Sequence, residues 1–154
     1  FVPTKTPSIM FNLLYSTAPG WAGTIARLAL GLILLPHGAQ KLLGLFGGYG
    51  FKGTMGFFTG TMKLPYALGL LVIITEFFGS LSLIIGLGGR FWAAAMVVLM
   101  LGIILTSHVA NGFFMNWYGN QAGEGYEFHL LAIGLALVVA VSGSGNWSVD
   151  RLLQ

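Results

Sequence analysis

The feature that most constrains the fold is a long apolar stretch containing one acidic side chain. Between Lys63 and Arg90 the only charged residue is Glu76, near the middle of LPYALGLLVIITEFFGSLSLIIGL. A membrane-spanning helix needs about 20 mainly apolar residues, so this stretch is long enough to cross a bilayer. An acidic residue at the bilayer centre costs about 2.5–3.5 kcal/mol on insertion scales. We therefore expect Glu76 to face a bundle interior and to pair with a polar group from the first or fourth span.

The composition extends this conclusion to the whole chain. Of 154 residues, 56% are hydrophobic and 7% are charged, more apolar surface than a soluble domain of this size can bury. The predicted fold is all-α: a polytopic membrane protein built as an antiparallel bundle of four transmembrane helices. Residues 1–20 form an N-terminal arm, and residues 21–154 form the membrane domain, with spans at about 21–43, 64–85, 91–110 and 125–141. The first residue is not Met, so we expect residues upstream or processing of the chain.

The distribution of charged residues indicates the orientation in the membrane, and the absence of cysteine limits the chemistry of the chain. With four spans, one side carries Lys5, Arg27, Arg90 and Arg151, and the other carries Lys41, Lys52 and Lys63. The positive-inside rule then places both termini in the cytoplasm, with the protein in the inner membrane and surrounded by lipid. Cysteine is absent, which excludes disulfides and thiolate metal sites in this chain. The few basic residues suit a membrane protein and do not indicate nucleic acid.

The other three predicted spans each carry one histidine towards an end. His37, His108 and His129 lie in the same half of the predicted bundle, and Glu76 lies near its midplane. Small or polar residues flank each of these groups at helical spacing, which indicates inward faces. We expect His37 and His129 to approach each other, and Pro36 to bend the first span or locally unwind it.

Two loops are predicted on the side opposite the termini, over one mouth of the bundle. The 44–63 loop contains GFKGTMGFFTGTMK, and the 111–124 loop contains WYGNQAGE. Both combine aromatic with small or polar residues, as interfacial segments do, and the first is either an anchored loop or a lid over an apolar ligand. Glu127 is expected to lie near His129. Its replacement is expected to weaken ligand binding more than replacement of Glu124, which is nearer the water.

Three segments resemble the DoxX family. They are ARLALGLILLPHGAQKLLG in the first span, ITEFFGSLSLIIGLGGRFWAAAMVVLM across the second and third, and GYEFHLLAIGLALVVAVSGSGNWSVDRLL at the end. The resemblance implies a bacterial or archaeal four-helix membrane protein linked to respiratory or redox complexes, since a related subunit belongs to a thiosulfate:quinone oxidoreductase. The matching positions are Arg27, His37, Gly38, Lys41, Glu76, Arg90, Glu127, His129 and Asp150.

Three interpretations of the polar residues remain open. A quinone-like ligand would contact His37, Lys41, Glu76, His108, Glu127 and His129, with an apolar slot formed by Phe51, Phe57, Phe58 and Trp117. Alternatively, the three histidines and a carboxylate bind a metal or haem, although no two histidines share a helix at metal-ligand spacing. In the third interpretation Arg27 or Lys41 neutralises Glu76 or Glu127, and the histidines bond to backbone. Arg27, Arg90 and Asp150 are predicted to be structural, no metal is assigned, and the possible cofactor is a quinone.

The sequence accordingly favours a membrane subunit of a quinone-linked oxidoreductase or respiratory complex, with other membrane subunits as partners. The alternatives are a non-catalytic scaffold subunit of a larger membrane complex and a component for small-solute transport. The apolar chain has no segment for a flavin, an iron–sulfur cluster or a nicotinamide, so electron carriers would come from a ligand or a partner. Whether the chain is itself an enzyme is left open.

Overall fold

The computed structural model describes residues 8–154, which contain helices and no strand. The helices are α1 (Ile9–Tyr15), α2 (Ala22–Leu43), α3 (Gly50–Gly56), α4 (Tyr66–Ile85), α5 (Gly89–Asn111), α6 (Glu127–Ser142) and α7 (Val149–Leu152). The all-α prediction is confirmed. Lys5, which entered the orientation argument, and the first seven residues of the predicted arm lie outside the described residues.

Three helices are long and apolar enough to cross a membrane. They are α2, α4 and α5, with 22, 20 and 23 residues. The fourth predicted span corresponds to α6, an apolar helix of 16 residues that ends where Gly143 adopts φ 81°. It is shorter than the other three because the chain before Glu127 forms a loop instead of a further helical turn. Pro36 lies inside α2, and the helix continues through it, so of the predicted bend or local unwinding the unwinding does not occur, and the bend stays a prediction.

A glycine-rich turn joins α4 to α5 and makes them an antiparallel pair. Gly86 and Gly88 have φ values of 72° and 63°, in the left-handed region that a residue without Cβ enters readily. Asp150 stabilises the turn: its buried carboxylate accepts hydrogen bonds from the backbone N–H groups of Gly88 (2.7 Å) and Gly89 (2.9 Å) and from the Ser144 hydroxyl (2.6 Å). The C-terminal segment is thereby fixed to the start of α5.

Two arginines hold the same end of the molecule together through backbone carbonyls. The guanidinium of Arg27, a buried residue on α2, donates to five carbonyl oxygens, those of Leu83, Ile84, Ser144, Asn146 and Trp147. Arg90 donates to the carbonyls of Ser16 and Ala140, both at 2.8 Å. The Arg27 guanidinium therefore binds backbone carbonyls at the ends of α4 and α6 and does not neutralise Glu76 or Glu127.

The main apolar core lies between this end and the midpoints of the helices. Its buried members come from four helices: Leu30, Leu34, Leu83, Met96, Met100, Ala132, Ala136 and Val139. The outward faces are also apolar, with Leu32, Leu71, Val98, Leu105, Leu131 and Val141 all exposed. Large apolar side chains on both faces of a helix are typical of a helix in lipid, where the outer surface has no water to avoid.

Candidate functional site

The Glu76 carboxylate lies inside the protein and is paired with a lysine from α2. Only 3% of Glu76 is exposed, and the Nζ of Lys41 donates to its Oε2 at 2.5 Å. Lys41 is less buried, with 27% of its side chain accessible. This is the pairing that the sequence predicts for Glu76, with the first span supplying the partner. The ion pair offsets the cost of a carboxylate among apolar helices.

A glycine allows α2 and α4 to meet closely beside this pair. A Cβ atom on Gly38 would lie 2.6 Å from the backbone nitrogen of Phe77 and 2.7 Å from the carbonyl carbon of Glu76. Real Cβ atoms do not approach backbone so closely, so only glycine fits at this crossing. On the α4 side the contact falls in the π-helical turn Thr75–Gly79, which includes Glu76. Such turns are frequent at functional sites because they redirect side chains within a helix.

A second π-helical turn brings His108 against a histidine from α6. The turn Ile104–His108 ends the regular part of α5, and the His108 and His129 ring centroids are 4.3 Å apart with their planes tilted by 40°. His108 Nδ1 lies 2.8 Å from the Glu124 carbonyl oxygen; a carbonyl only accepts, so this nitrogen carries the proton. Asn111 Nδ2 donates to the same oxygen at 3.0 Å. The 111–124 loop thus fixes the His108 ring.

His129 differs from His108 because one of its nitrogens has no protein partner. The residue is 8% exposed, and its Nδ1 is buried without a hydrogen bond from any residue in the described part of the chain. A buried polar atom without a partner is uncommon in proteins and carries a cost of about 1–3 kcal/mol. No residue in the described part of the chain therefore compensates the burial of this atom.

These groups surround a cavity of about 280 Å³ between the helices. The lining residues are Leu34, His37 and Lys41 on α2, Glu76 on α4, Met100, Ile103 and His108 on α5, Met115 and Glu124 in the loop, and Phe128 and His129 on α6. His37 and His129, expected to approach each other, line the same cavity, but the imidazole stacked on His129 is that of His108. The cavity combines an ion pair, imidazoles and an apolar wall.

The two acidic residues before and at the start of α6 do not lie where the sequence predicts. Glu127 does not line the cavity; its Oε1 accepts from the Met115 backbone N–H (2.8 Å) and the Trp117 indole N–H (3.3 Å). Glu124 lines the cavity and also accepts from the Asn116 N–H at 2.6 Å. The structure thus places the Glu127 carboxylate against the 111–124 loop and not in the cavity wall, and its expected effect on a ligand stays a prediction.

The expected aromatic slot is also replaced by other residues. Within residues 8–154, Phe51, Phe57, Phe58 and Trp117 do not line the cavity. Phe58 instead packs with Met55 and Ile73 in a second apolar cluster, against Leu42 on α2. The 44–63 loop therefore packs against the side of α2 and α4, and the 111–124 loop alone contributes lining residues. The apolar wall is formed by Leu34, Met100, Ile103 and Phe128.

Sequence reasoning missed the contributions of Met100, Ile103, Met115 and Phe128, and no local signal distinguishes them. Each is one apolar residue among many, and only the helix crossings direct it inwards. In residues 8–154, no group of three or more His, Cys, Asp or Glu side chains has an arrangement that would hold a metal ion.

Helix length, apolar surface and a polar cavity define the class as an all-α membrane protein. The family model of DoxX matches residues 22–109, more than half of the chain, and the protein belongs to the DoxX family. Membership in this family is often linked to oxidoreductase-related function. No curated protein and no solved structure matches the chain.

Proposed function

We propose that this protein is an inner-membrane subunit that works with a quinone-linked oxidoreductase, and that its cavity holds a quinone headgroup. The observation that carries the proposal is the unpartnered Nδ1 of His129, buried in the wall of a cavity that also contains the Lys41–Glu76 pair. Family membership supports the redox link in general terms. The quinone and the partner complex are inferences from the chemistry of the cavity.

The donor set of the cavity suits a flat ring with two carbonyl oxygens. Lys41 Nζ offers N–H donors beside Glu76, and His129 offers an imidazole nitrogen on α6. Apolar side chains such as Leu34 and Phe128 cover the rest of the wall. A volume of about 280 Å³ is near the lower end of ligand pockets, ~300–1,000 Å³, and is suited to a headgroup and not to a long isoprenoid tail.

A bound quinone would supply two-electron, two-proton chemistry, and the residues of this chain would bind it and hold protons. Lys41 and Glu76 would exchange a proton with one oxygen, and His129 would hydrogen bond to the other. The Glu124 carbonyl, by accepting from His108 Nδ1, orients that imidazole beside His129. In this proposal a partner subunit supplies the electrons.

The proposed membrane arrangement has α6 as a fourth span antiparallel to α2, with both termini in the cytoplasm. Support comes from the packing: α6 lies against α2 and α5, and it ends where α2 begins, with Gly143 close to Gly23. Its 16 residues are near the lower limit for a span, about 17. The Trp117 and Tyr118 side chains, exposed at the opposite end, suit the outer interface.

A scaffold subunit is the second candidate, and the Lys41–Glu76 pair favours it. The carboxylate already has a partner within the chain, as expected if the polar residues serve only folding. Solute transport has less support. By position along the helices, the buried side chains of Leu30, Leu83, Met96 and Ala136 lie between the cavity and Arg27, so apolar packing interrupts a polar route.

The test is the affinity of the purified protein for a soluble short-chain benzoquinone, measured by isothermal titration in detergent. His129→Leu removes both ring nitrogens and should weaken binding about tenfold, the loss expected for one hydrogen bond to a buried group. Lys52→Gln changes an exposed residue away from the cavity and is the control. A folded His129→Leu protein with unchanged affinity would exclude the cavity as the quinone site. A wild-type protein without quinone affinity would favour the scaffold.

A further inference from the structure

A second concave surface lies at the opposite end of the molecule from the 111–124 loop, beside the last turn of α4. This terminal groove has a volume of about 570 Å³ and is lined by Ile85, Asn146, Trp147, Ser148, Val149, Arg151 and Leu152. Ile85 is the last residue of a helix long enough to cross a membrane, and Leu152 is 84% exposed. Apolar side chains therefore extend the groove towards the lipid-facing surface of α4.

Two exposed tryptophans beside this groove indicate its depth in the bilayer. The Trp21 and Trp147 rings are 5.1 Å apart, packed edge to face, and both are exposed. Trp21 immediately precedes α2, so the pair lies where one long helix begins and another ends. Tryptophan is enriched at the headgroup level of membranes, because its ring is apolar and its N–H is polar. The terminal groove thus faces the region that lipid headgroups occupy.

The backbone holds the Trp147 indole outwards at a conformational cost. Trp147 has φ 52°, in the left-handed region that residues with a Cβ rarely adopt. The Nη2 of Arg27 donates to the Trp147 carbonyl at 2.6 Å and helps to hold this conformation. Backbone strain of this kind is more frequent at functional sites, and apart from its contact with Trp21 the Trp147 indole is exposed.

Arg151 gives the groove one exposed positive charge, and its acidic neighbour in sequence forms no ion pair with it. Arg151 is exposed and lines the groove, whereas Arg27 and Arg90 direct their guanidinium groups to backbone carbonyls. Asp150, adjacent in sequence, is buried, and its carboxylate oxygens accept from Gly88, Gly89 and Ser144. A guanidinium binds phosphate through paired N–H donors, so Arg151 is suited to a headgroup phosphate.

From these features we propose that the terminal groove is a binding site for an anionic phospholipid. Arg151 binds the headgroup phosphate, the Trp21–Trp147 pair packs beside the glycerol region, and an acyl chain lies along Ile85 and Leu152. The site is independent of the quinone proposal, because it shares no residue with the cavity. It would anchor this end of the protein in the leaflet that contains anionic lipid.

The experiment is native mass spectrometry of the detergent-purified full chain, titrated with phosphatidylglycerol and, in parallel, with phosphatidylcholine. The wild-type protein should retain phosphatidylglycerol preferentially. Arg151→Gln should reduce that retention about fivefold, the effect of one basic residue at an anionic surface. Arg151→Lys should keep part of it, because lysine retains the charge but not the fork of donors. Lys52→Gln also removes one exposed positive charge, and should match the wild type.

Three outcomes would overturn the proposal. The first is equal retention of the two lipids by the wild-type protein. The second is the same loss in Lys52→Gln as in Arg151→Gln, which would reflect net charge. The third is displacement of the lipid by soluble glycerol phosphate at concentrations comparable with the lipid, since the apolar wall would then contribute nothing. Quinone affinity is measured separately, and its absence would not affect any of these results.

Discussion

The imidazoles of His108 and His129 lie 4.3 Å apart, and the two residues are fixed in different ways. His108 donates from Nδ1 to the Glu124 carbonyl, whereas the same atom of His129 is buried without a partner in residues 8–154. One histidine is thus held by the 111–124 loop, and the other lines the cavity without a hydrogen bond at its Nδ1. This division of roles depends on the loop, which connects α5 to α6.

The Lys41–Glu76 pair should show strong energetic coupling. Lys41→Met leaves the Glu76 carboxylate buried without its partner, and we expect a loss of about 2 kcal/mol in unfolding free energy. This is less than the ~3–5 kcal/mol of a fully buried pair because Lys41 is partly exposed. The double variant Lys41→Met/Glu76→Gln should recover most of the loss. A double-mutant cycle from chemical unfolding in detergent measures the coupling, and additive effects would contradict it.

The contact of Gly38 with α4 should tolerate no side chain. Gly38→Ala places a methyl group against the backbone of Glu76 and Phe77, so α2 and α4 must separate at the cavity. We expect a loss of about 1–3 kcal/mol, the usual cost of overpacking. Gly134→Ala is the matched control, since that helical glycine has no atom within 4 Å of an added Cβ and should be neutral or slightly stabilised. Equal melting temperatures for the two variants would contradict the prediction.

How much of the fold and of the cavity the sequence predicts depends on how far apart in the sequence the interacting residues lie. The helices follow from apolar segments of bilayer length, and burial of Glu76 follows from its cost in lipid. The partner of Glu76 could be limited to the first or fourth span, and Lys41 lies at the end of the first. The stacking of His108 on His129 could not be predicted, because it depends on a π-helical turn that shifts α5 by a fraction of a turn.

The position of the Glu127 carboxylate could not be predicted for a similar reason. Glu127 is the first residue of α6 and Glu124 precedes it, so sequence spacing places Glu127 nearer His129 than Glu124. In the structure the chain from Met115 to Trp117 folds back and presents N–H groups to Glu127. A loop of this kind has no periodic pattern of hydrophobic residues, so the path of its backbone cannot be inferred from the sequence.

Glu127 should therefore control the order of the 111–124 loop. Glu127→Met removes the acceptor for the N–H groups of Met115 and Trp117, and hydrogen exchange in the loop should accelerate about tenfold, as for the loss of ~1.4 kcal/mol of local stability. Glu127→Gln keeps an acceptor oxygen and should exchange nearly as slowly as the wild type. Mass spectrometry of loop peptides after exchange measures both. Unchanged exchange in Glu127→Met would show that the loop is held by other contacts.

The membrane topology of α6 can be tested directly because the chain has no cysteine of its own. Single cysteines at Tyr118 and Leu152, which are 91% and 84% exposed, report on the two ends of α6. If α6 crosses the membrane and the termini are cytoplasmic, a membrane-impermeant maleimide should label Tyr118→Cys in intact cells. Leu152→Cys should then be labelled only after permeabilisation. Lys52→Cys, in the 44–63 loop, should behave like Tyr118→Cys, because α4 and α5 together return the chain to the same side.

Labelling of Tyr118→Cys and Leu152→Cys from the same side would show that the 16 residues of α6 do not span the bilayer. The reverse pattern of labelling would keep the four spans but invert the orientation, and the cavity would then lie in the cytoplasmic half of the membrane.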